Sequence, residues 1–164
     1  MPSPTLRAAT LALAAVQTGG RPDAPDPGGR AFGFAVAAIV HAVGGDLDAT
    51  LAAADAVPGC EEATFLDTAL GDVAAGLALL RAGRVDEGRG RLDAARTTLD
   101  ATDDRVGQGM VRLASAVGAE AAGLDSALSE RADAAIALAR IGLVAAGWET
   151  TFRAAAGLVE PAAV

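Results

Sequence analysis

The chain has no lysine, no asparagine and no tyrosine; aromatics make up 3% of it, and it has one cysteine and one histidine. Each shortage closes a door. Without lysine there is no phosphate loop of the Gly-Lys-Ser/Thr kind. With Cys60 alone there is no intrachain disulfide, which fits a reducing compartment. His41 has neither a second histidine nor a nearby cysteine to share a metal, and no evident nucleophile to serve as a base. Cys60 stands beside Glu61 and Glu62, which disfavour the thiolate, so it is expected to be a plain thiol. Strands would want more Ile, Tyr, Phe and Thr than this chain has.

Apolar runs are short as well. The longest, "AFGFAVAAIVHAVGG", contains His41 and several glycines and falls below the roughly 18–20 residues of a membrane span. The opening "MPSPTLRAATLALAAVQTGG" has one arginine and no convincing cleavage site, so it is expected to be a first helix rather than an export signal. The expectation is a soluble, cytoplasmic protein. A net charge of −8 repels phosphate backbones and disfavours nucleic acid as a partner.

What the chain does have is alanine, leucine and valine, in a length of 164 residues that suits one domain. Small aliphatic cores suit close-packed helices, so the prediction is all-α, with about seven to eight helices. The segment "GGRPDAPDPGGR", residues 19–30, is the clearest break and is expected to be a loop or linker after an N-terminal helix in residues 1–18. Beyond it, apolar residues recur in steps of three and four. Five stripes result: Phe32–Val36–Ile39–Val40–Val43, Leu66–Leu70–Val73–Leu77–Leu80, Val85–Leu92–Ala95–Leu99, Val106–Met110–Leu113–Val117 and Leu128–Ala132–Ala135–Ala139–Leu143. Val57-Pro58-Gly59 ends one helix; Thr102, Asp103 and Asp104 open another; Asp125 or Ser126 is expected to cap the next.

A repeat is superimposed on these stripes. "LDAT" at 47, "VDEG" at 85 and "LDSA" at 124 share aliphatic, acid, any residue, small, at intervals of 38 and 39 residues. Small residues precede each: Gly44-Gly45, Ala82-Gly83 and Ala122-Gly123. A glycine lets the first helix exit tightly, and an acid meets the positive end of the second. The pattern predicts three antiparallel helix hairpins over residues 31–143, then a capping helix and tail over 144–164. In the cap, Trp148, Phe152, Ala155 and Val159 share one side and are expected to cover the last hairpin; a ligand-stacking Trp148 is the alternative. Gly88 and Ala127 are expected where helices cross, with Gly88→Ala tolerated.

"GLALLRAGRVDEGRGRLDAA" resembles the tetratricopeptide repeat. Gly76, Gly83, Val85, Gly88, Leu92 and Ala95 stand at positions similar to its small, turn, aromatic, signature-small, large and alanine sites. The period is longer than that family's usual ~34 residues, and its aromatics and closing proline are mostly missing. The style is similar to helical arrays in C-terminal regions of bacterial multidomain regulators. The resemblance implies a non-enzymatic module that binds a partner peptide or helix, without cofactor or metal. The alternative is a small-molecule sensor with an apolar pocket between helices. An open concave face would favour the first, and a pocket of mixed lining the second.

Arg81, Arg84, Arg89, Arg91 and Arg96 are the candidate partner-binding residues. Asp86, Glu87, Asp93 and Asp100 interleave with them, and Glu87–Arg91 has the spacing of a favourable helix pair, so a solvated ion-paired face competes with a site for an acidic segment. Two acidic groups, Asp46–Asp48–Thr50 and Asp100–Asp103–Asp104, lack the glycine and terminal glutamate of a calcium loop and are expected to be helix-start acids.

Overall fold

The computed structural model describes residues 4–142 and 146–162, which form eight α-helices and no β-strand. They are α1 (Pro4–Gln17), α2 (Ala31–Gly44), α3 (Leu47–Ala56), α4 (Phe65–Arg81), α5 (Val85–Asp100), α6 (Arg105–Ala121), α7 (Ala127–Ala139) and α8 (Ala146–Ala155), with a 3-10 turn at Val57–Gly59. Among the described residues no helix is long and apolar enough to cross a membrane.

Helices pack in pairs across the three predicted elbows, α2 with α3, α4 with α5, α6 with α7. Gly45, Gly83 and Gly123 end the first helix of each pair at φ of 79°, 77° and 68°. At each, the next amide reaches back five residues: Asp46 to His41, Arg84 to Leu79 and Leu124 to Ala119, at 3.0, 2.9 and 2.9 Å. This Schellman closure needs a left-handed residue, which only glycine adopts without cost. Starts are less uniform. Asp46 accepts from Ala49 N and Asp104 from Gly107 N, both as N-caps. Thr64 and Asp67 form a capping box on α4. Neither Asp125 nor Ser126 caps α7 in this way; the Ser126 hydroxyl donates to Glu130 Oε1 at 2.7 Å instead.

The helix α4 is the centre. It touches α2, α3, α5, α6 and α8, and every residue from Val73 to Leu80 is buried. A helix apolar on all sides must be surrounded. At its crossing with α5, a Cβ built on Gly88 would lie 2.8 Å from Gly76 O, and one on Gly76 would lie 2.9 Å from Gly88 O. Two backbones therefore touch through reciprocal glycines. This corrects the expectation that Gly88→Ala fits: no room exists for the methyl group. Ala127 is half-buried.

The proline-rich loop is laid against the helices. Pro27 O lies 2.3 Å from the place a Cβ on Gly33 would take, Arg21 donates to Gly44 O at the end of α2, and Ala162 N donates to Gly19 O.

Three sequence expectations fail here. The buried side of α7 is Ala134 and Leu138, not the stripe through Leu128, Ala132, Ala135 and Ala139, all of which face solvent; Leu143 lies outside the described residues. The reason is packing supply: α7 has α6 as its helix neighbour, so one narrow ridge suffices to seat it. The final helix does not stack on α7 either. It lies against α1, α2, α4 and α6, with Phe152 2% exposed, and Trp148 is half-buried and tilted on Phe152 at 5.5 Å. Val159 falls beyond α8 and is exposed. Val85 and Val106, counted with the core stripes, are also exposed because they sit in the first turns of α5 and α6, ahead of the helix crossings.

Candidate functional site

The five arginines do not make one patch. Arg81, at the end of α4, turns inward: its Nη1 reaches Val43 O at 3.5 Å and Ala154 O at 3.3 Å. A cation is thereby placed on the negative ends of α2 and α8, where it is favourable. Arg84 makes a local pair with Glu87 at 2.8 and 2.5 Å, which pulls the Glu87 carboxyl below its usual range. Arg91 does not pair with Glu87. Its guanidinium donates to Asp72 of α4 at 2.9 Å and Asp55 of α3 at 2.6 Å, joining three helices. The bond to Asp72 is the largest cause of the upward shift of Arg91. The helical spacing that suggested Glu87–Arg91 is outcompeted because Arg91 points into the α4 side of α5, where two carboxylates already wait.

Arg89 and Arg96 are brought together. They stand on the outer side of α5, one wall of a groove floored by α6 and bounded opposite by α7. A cleft of about 150 Å³ there includes Arg89, Arg96, Ser115 and Glu130, and continues into one of about 530 Å³ reaching Arg112 and Asp133. Arg96 pairs with Asp93 at 3.2 Å and Arg112 with Asp100 at 3.7 Å. Arg89 meets no carboxylate among the described residues. The far wall is α7, whose outer surface carries Leu128, 82% exposed, and Ile136, 51% exposed.

Other ionic contacts hold the frame. Arg153 of α8 makes a two-pronged bond to Glu120 of α6 at 2.6 and 2.8 Å, and Arg131 of α7 bonds Glu149 of α8. Arg153 is the main cause that holds the Glu120 carboxyl below its ordinary range. Sequence inspection paired none of these, since the partners are 33 and 18 residues apart.

A second concavity lies between α1, α2 and the start of α4, with a volume of about 320 Å³. Leu6, Ala9, Phe32 and Gly33 give it apolar walls, and Arg30, Glu62 and Asp67 its charges. Glu62 accepts from Ala31 N at 3.2 Å at the head of α2; its carboxyl is shifted down, chiefly by its own backbone N–H and then by that of Ala31. Sequence inspection assigned no role to Asp67, although Thr64-Phe65-Leu66-Asp67 ahead of an apolar run is a legible capping box.

His41 is half-buried in the last turn of α2, and the Cys60 thiol lies 3.6 Å from Ala56 O and 3.7 Å from Gly29 O. Among the described residues no three His, Cys, Asp or Glu side chains group as a metal site. Asp46 and Asp104 are spent as caps.

Set against protein-family models, curated proteins and solved structures, the chain matches none of them.

Proposed function

We propose that this protein is a non-enzymatic interaction or regulatory module in which α2–α7 form a tetratricopeptide-like array that binds a peptide or helix of a partner protein. The observation that carries the reading is the outer face of α7. Leu128, Ala132, Ala135, Ile136 and Ala139 present apolar groups to water at helical spacing, on a helix whose Glu130 and Asp133 line the groove toward α5, where Arg89 meets no carboxylate among the described residues. An exposed apolar stripe bordered by charge is the footprint of helix-in-groove recognition. The elbows support the array: three glycines in one conformation, 38 and 40 residues apart, each closing a packed pair. The groove-lining acids, together with the net charge of −8, speak for a protein partner rather than nucleic acid. The open concave face expected to favour this reading is not found: the face made by α2, α4 and α6 carries α8, so on this reading the partner belongs at the α5–α7 side.

The test is affinity capture with the intact chain and with the Leu128→Asp, Ile136→Asp double variant, whose altered residues face solvent. A partner segment retained by the first and lost by the second, then rebound as a synthetic peptide, supports the reading. Equal retention by both chains defeats it.

A second reading, small-molecule sensing, is favoured by the cavity between α1, α2 and α4, whose 320 Å³ suits a compact ligand. A ligand that raises the melting temperature of the native chain and not of an Ala9→Leu chain supports it.

A further inference from the structure

We propose that the cavity between α1, α2 and α4 is a site for a small organic ammonium ion carried on a compact apolar body, with Asp67 as its counter-ion. The proposal deepens the small-molecule reading and rests on it.

Three observations lead there. The first concerns Asp67 itself. The residue is 8% exposed yet lines the cavity. Its Oδ2 is fully occupied, accepting from Thr64 N at 3.0 Å and from the Thr64 hydroxyl at 2.7 Å. No protein donor among the described residues meets Oδ1, while no side-chain polar atom is both sealed and unsatisfied. Oδ1 therefore opens on the cavity, with lone pairs to offer. A largely desolvated carboxylate gains most from a donor that also carries positive charge.

The second observation is the charge around it. Helices α2 and α4 both begin at this cavity, and their positive ends would by themselves invite an anion. Both are already answered. Glu62 sits on Ala31 N at the head of α2, and Asp67 on Thr64 N at the head of α4. Arg30 is the remaining cation, but its side chain is 73% exposed at the mouth and 4.0 Å from Glu62. An entering anion would meet two carboxylates; an entering cation meets the free oxygen of the inner one. Among the described residues the α1 wall brings no charged side chain, only Thr5 and Leu6 from its first turn and Ala9.

The third is shape. Phe32, Leu6, Ala9 and Gly33 give an apolar body for a hydrocarbon skeleton, and Gly33 cannot be enlarged, because Pro27 O fills the place of its Cβ at 2.3 Å. The site thus pairs apolar walls with one inward carboxylate oxygen, the arrangement by which pockets orient a ligand.

The experiment uses the full chain and three probes of one shape: cyclohexylmethylammonium, cyclohexylmethanol and cyclohexanecarboxylate. Binding is followed by calorimetry and by amide shifts in two-dimensional NMR. The expected result is binding of the ammonium with shifts centred on Ala9, Gly33 and Asp67, weaker binding of the alcohol, and none of the carboxylate. Asp67→Asn should weaken the ammonium by at least about tenfold and leave the alcohol unchanged. Ala9→Leu should remove both by filling the space, and it serves as the test variant if Asp67→Asn loses its fold with the capping box. Equal binding of ammonium and alcohol, or ammonium binding indifferent to Asp67→Asn, overturns the proposal and leaves the small-molecule reading standing. Failure of all three probes to shift the cavity amides overturns both.

Discussion

The pair α4–α5 and the pair α6–α7 are built from one elbow design and end in opposite states. In α4–α5 the two backbones touch through Gly76 and Gly88, Leu92, Ala95 and Leu99 are buried, and Arg91 ties α5 to α3 and α4. In α6–α7 the second helix is seated by Ala134 and Leu138, with the Leu138 side chain filling the space over Gly109, and Leu128, Ala132, Ala135, Ile136 and Ala139 face water. The elbow therefore sets where a helix turns back, and the neighbours beyond it set which side is buried. A helix between two others, as α5 is, spends most of its large apolar side chains on packing. A helix at the edge has surface left over, and that surface is where a partner can act.

The sharpest way to break this contrast is to exchange the two ridges of α7. Leu138→Ala should cost about 2–5 kcal/mol, as expected for emptying a buried leucine site. Leu128→Ala, ten residues earlier on the stripe the sequence pattern favours, should change stability by no more than about 0.5 kcal/mol. Urea denaturation of the two variants decides it: comparable losses would mean that α7 is rotated from the orientation described.

Next in size is the glycine contact of α4–α5. Gly88→Leu should cost about 1–3 kcal/mol or more, because a side chain there meets the buried Leu80 Cγ at 2.7 Å and backbone, Gly76 O, at 2.8 Å, and helices must part to admit it. Gly88→Ala should also destabilise, whereas Gly90→Ala, two residues on with nothing within 4 Å of its Cβ, should stabilise by about 0.5–1 kcal/mol from helix propensity alone. Opposite signs in thermal melts are required; a gain at both positions would remove the backbone contact from the account.

These two hairpins also mark how far the sequence speaks. Helix number, the elbows at Gly45, Gly83 and Gly123, the break at residues 19–30 and the core stripes of α2, α4 and α6 were legible, because periodicity and glycine chemistry act within a few residues. The burial side of α7 was not. A helix of alanines with Leu128, Ile136 and Leu138 offers more than one apolar ridge, and periodicity alone does not choose among them. Nor was the seat of α8 legible, since a cap on α7 and a strut across α2, α4 and α6 ask for the same amphipathic pattern. Of the candidate arginines, the grouping of Arg89 with Arg96 follows from their seven-residue spacing, but Arg81 and Arg91 are engaged by carbonyls and carboxylates from distant segments.

The ionic tie of the tighter pair should have a smaller effect than its glycines. Arg91→Met keeps the aliphatic stem and removes the bonds to Asp55 and Asp72. The guanidinium is 35% exposed, so solvent screens it, and a loss of up to about 1 kcal/mol is expected, shrinking as salt is raised. An Arg91→Met penalty that is the same in low and high salt would assign the effect to packing rather than charge.

The smallest expected effect belongs to the tie of the looser pair, Glu120 with Arg153. The Glu120 carboxyl is depressed in the folded chain, first by the hydrogen bond from Arg153 and then by the charges of Arg153 and Arg131. A depressed acid favours the folded state above its unfolded value, about 4.3, and that contribution drains away as pH falls through the lower folded value. Arg153, shifted up, stays protonated throughout and adds no slope of its own in this range. The side chain of Glu120 is 37% exposed, so about 0.5 kcal/mol is the scale once screening is allowed for. Glu120→Gln should accordingly lower the urea midpoint slightly at pH 7, and the gap from the native chain should close as the pH is taken from about 5 toward 3. Glu62 and Glu87 are also shifted down and will drain stability over the same window in both chains, so the difference between them, not either curve, isolates Glu120. A gap that persists once the carboxyl is protonated would mean that the glutamate acts through its shape against α8 and not through its charge, and the ionic link between the edge hairpin and the final helix would then rest on Arg131 and Glu149.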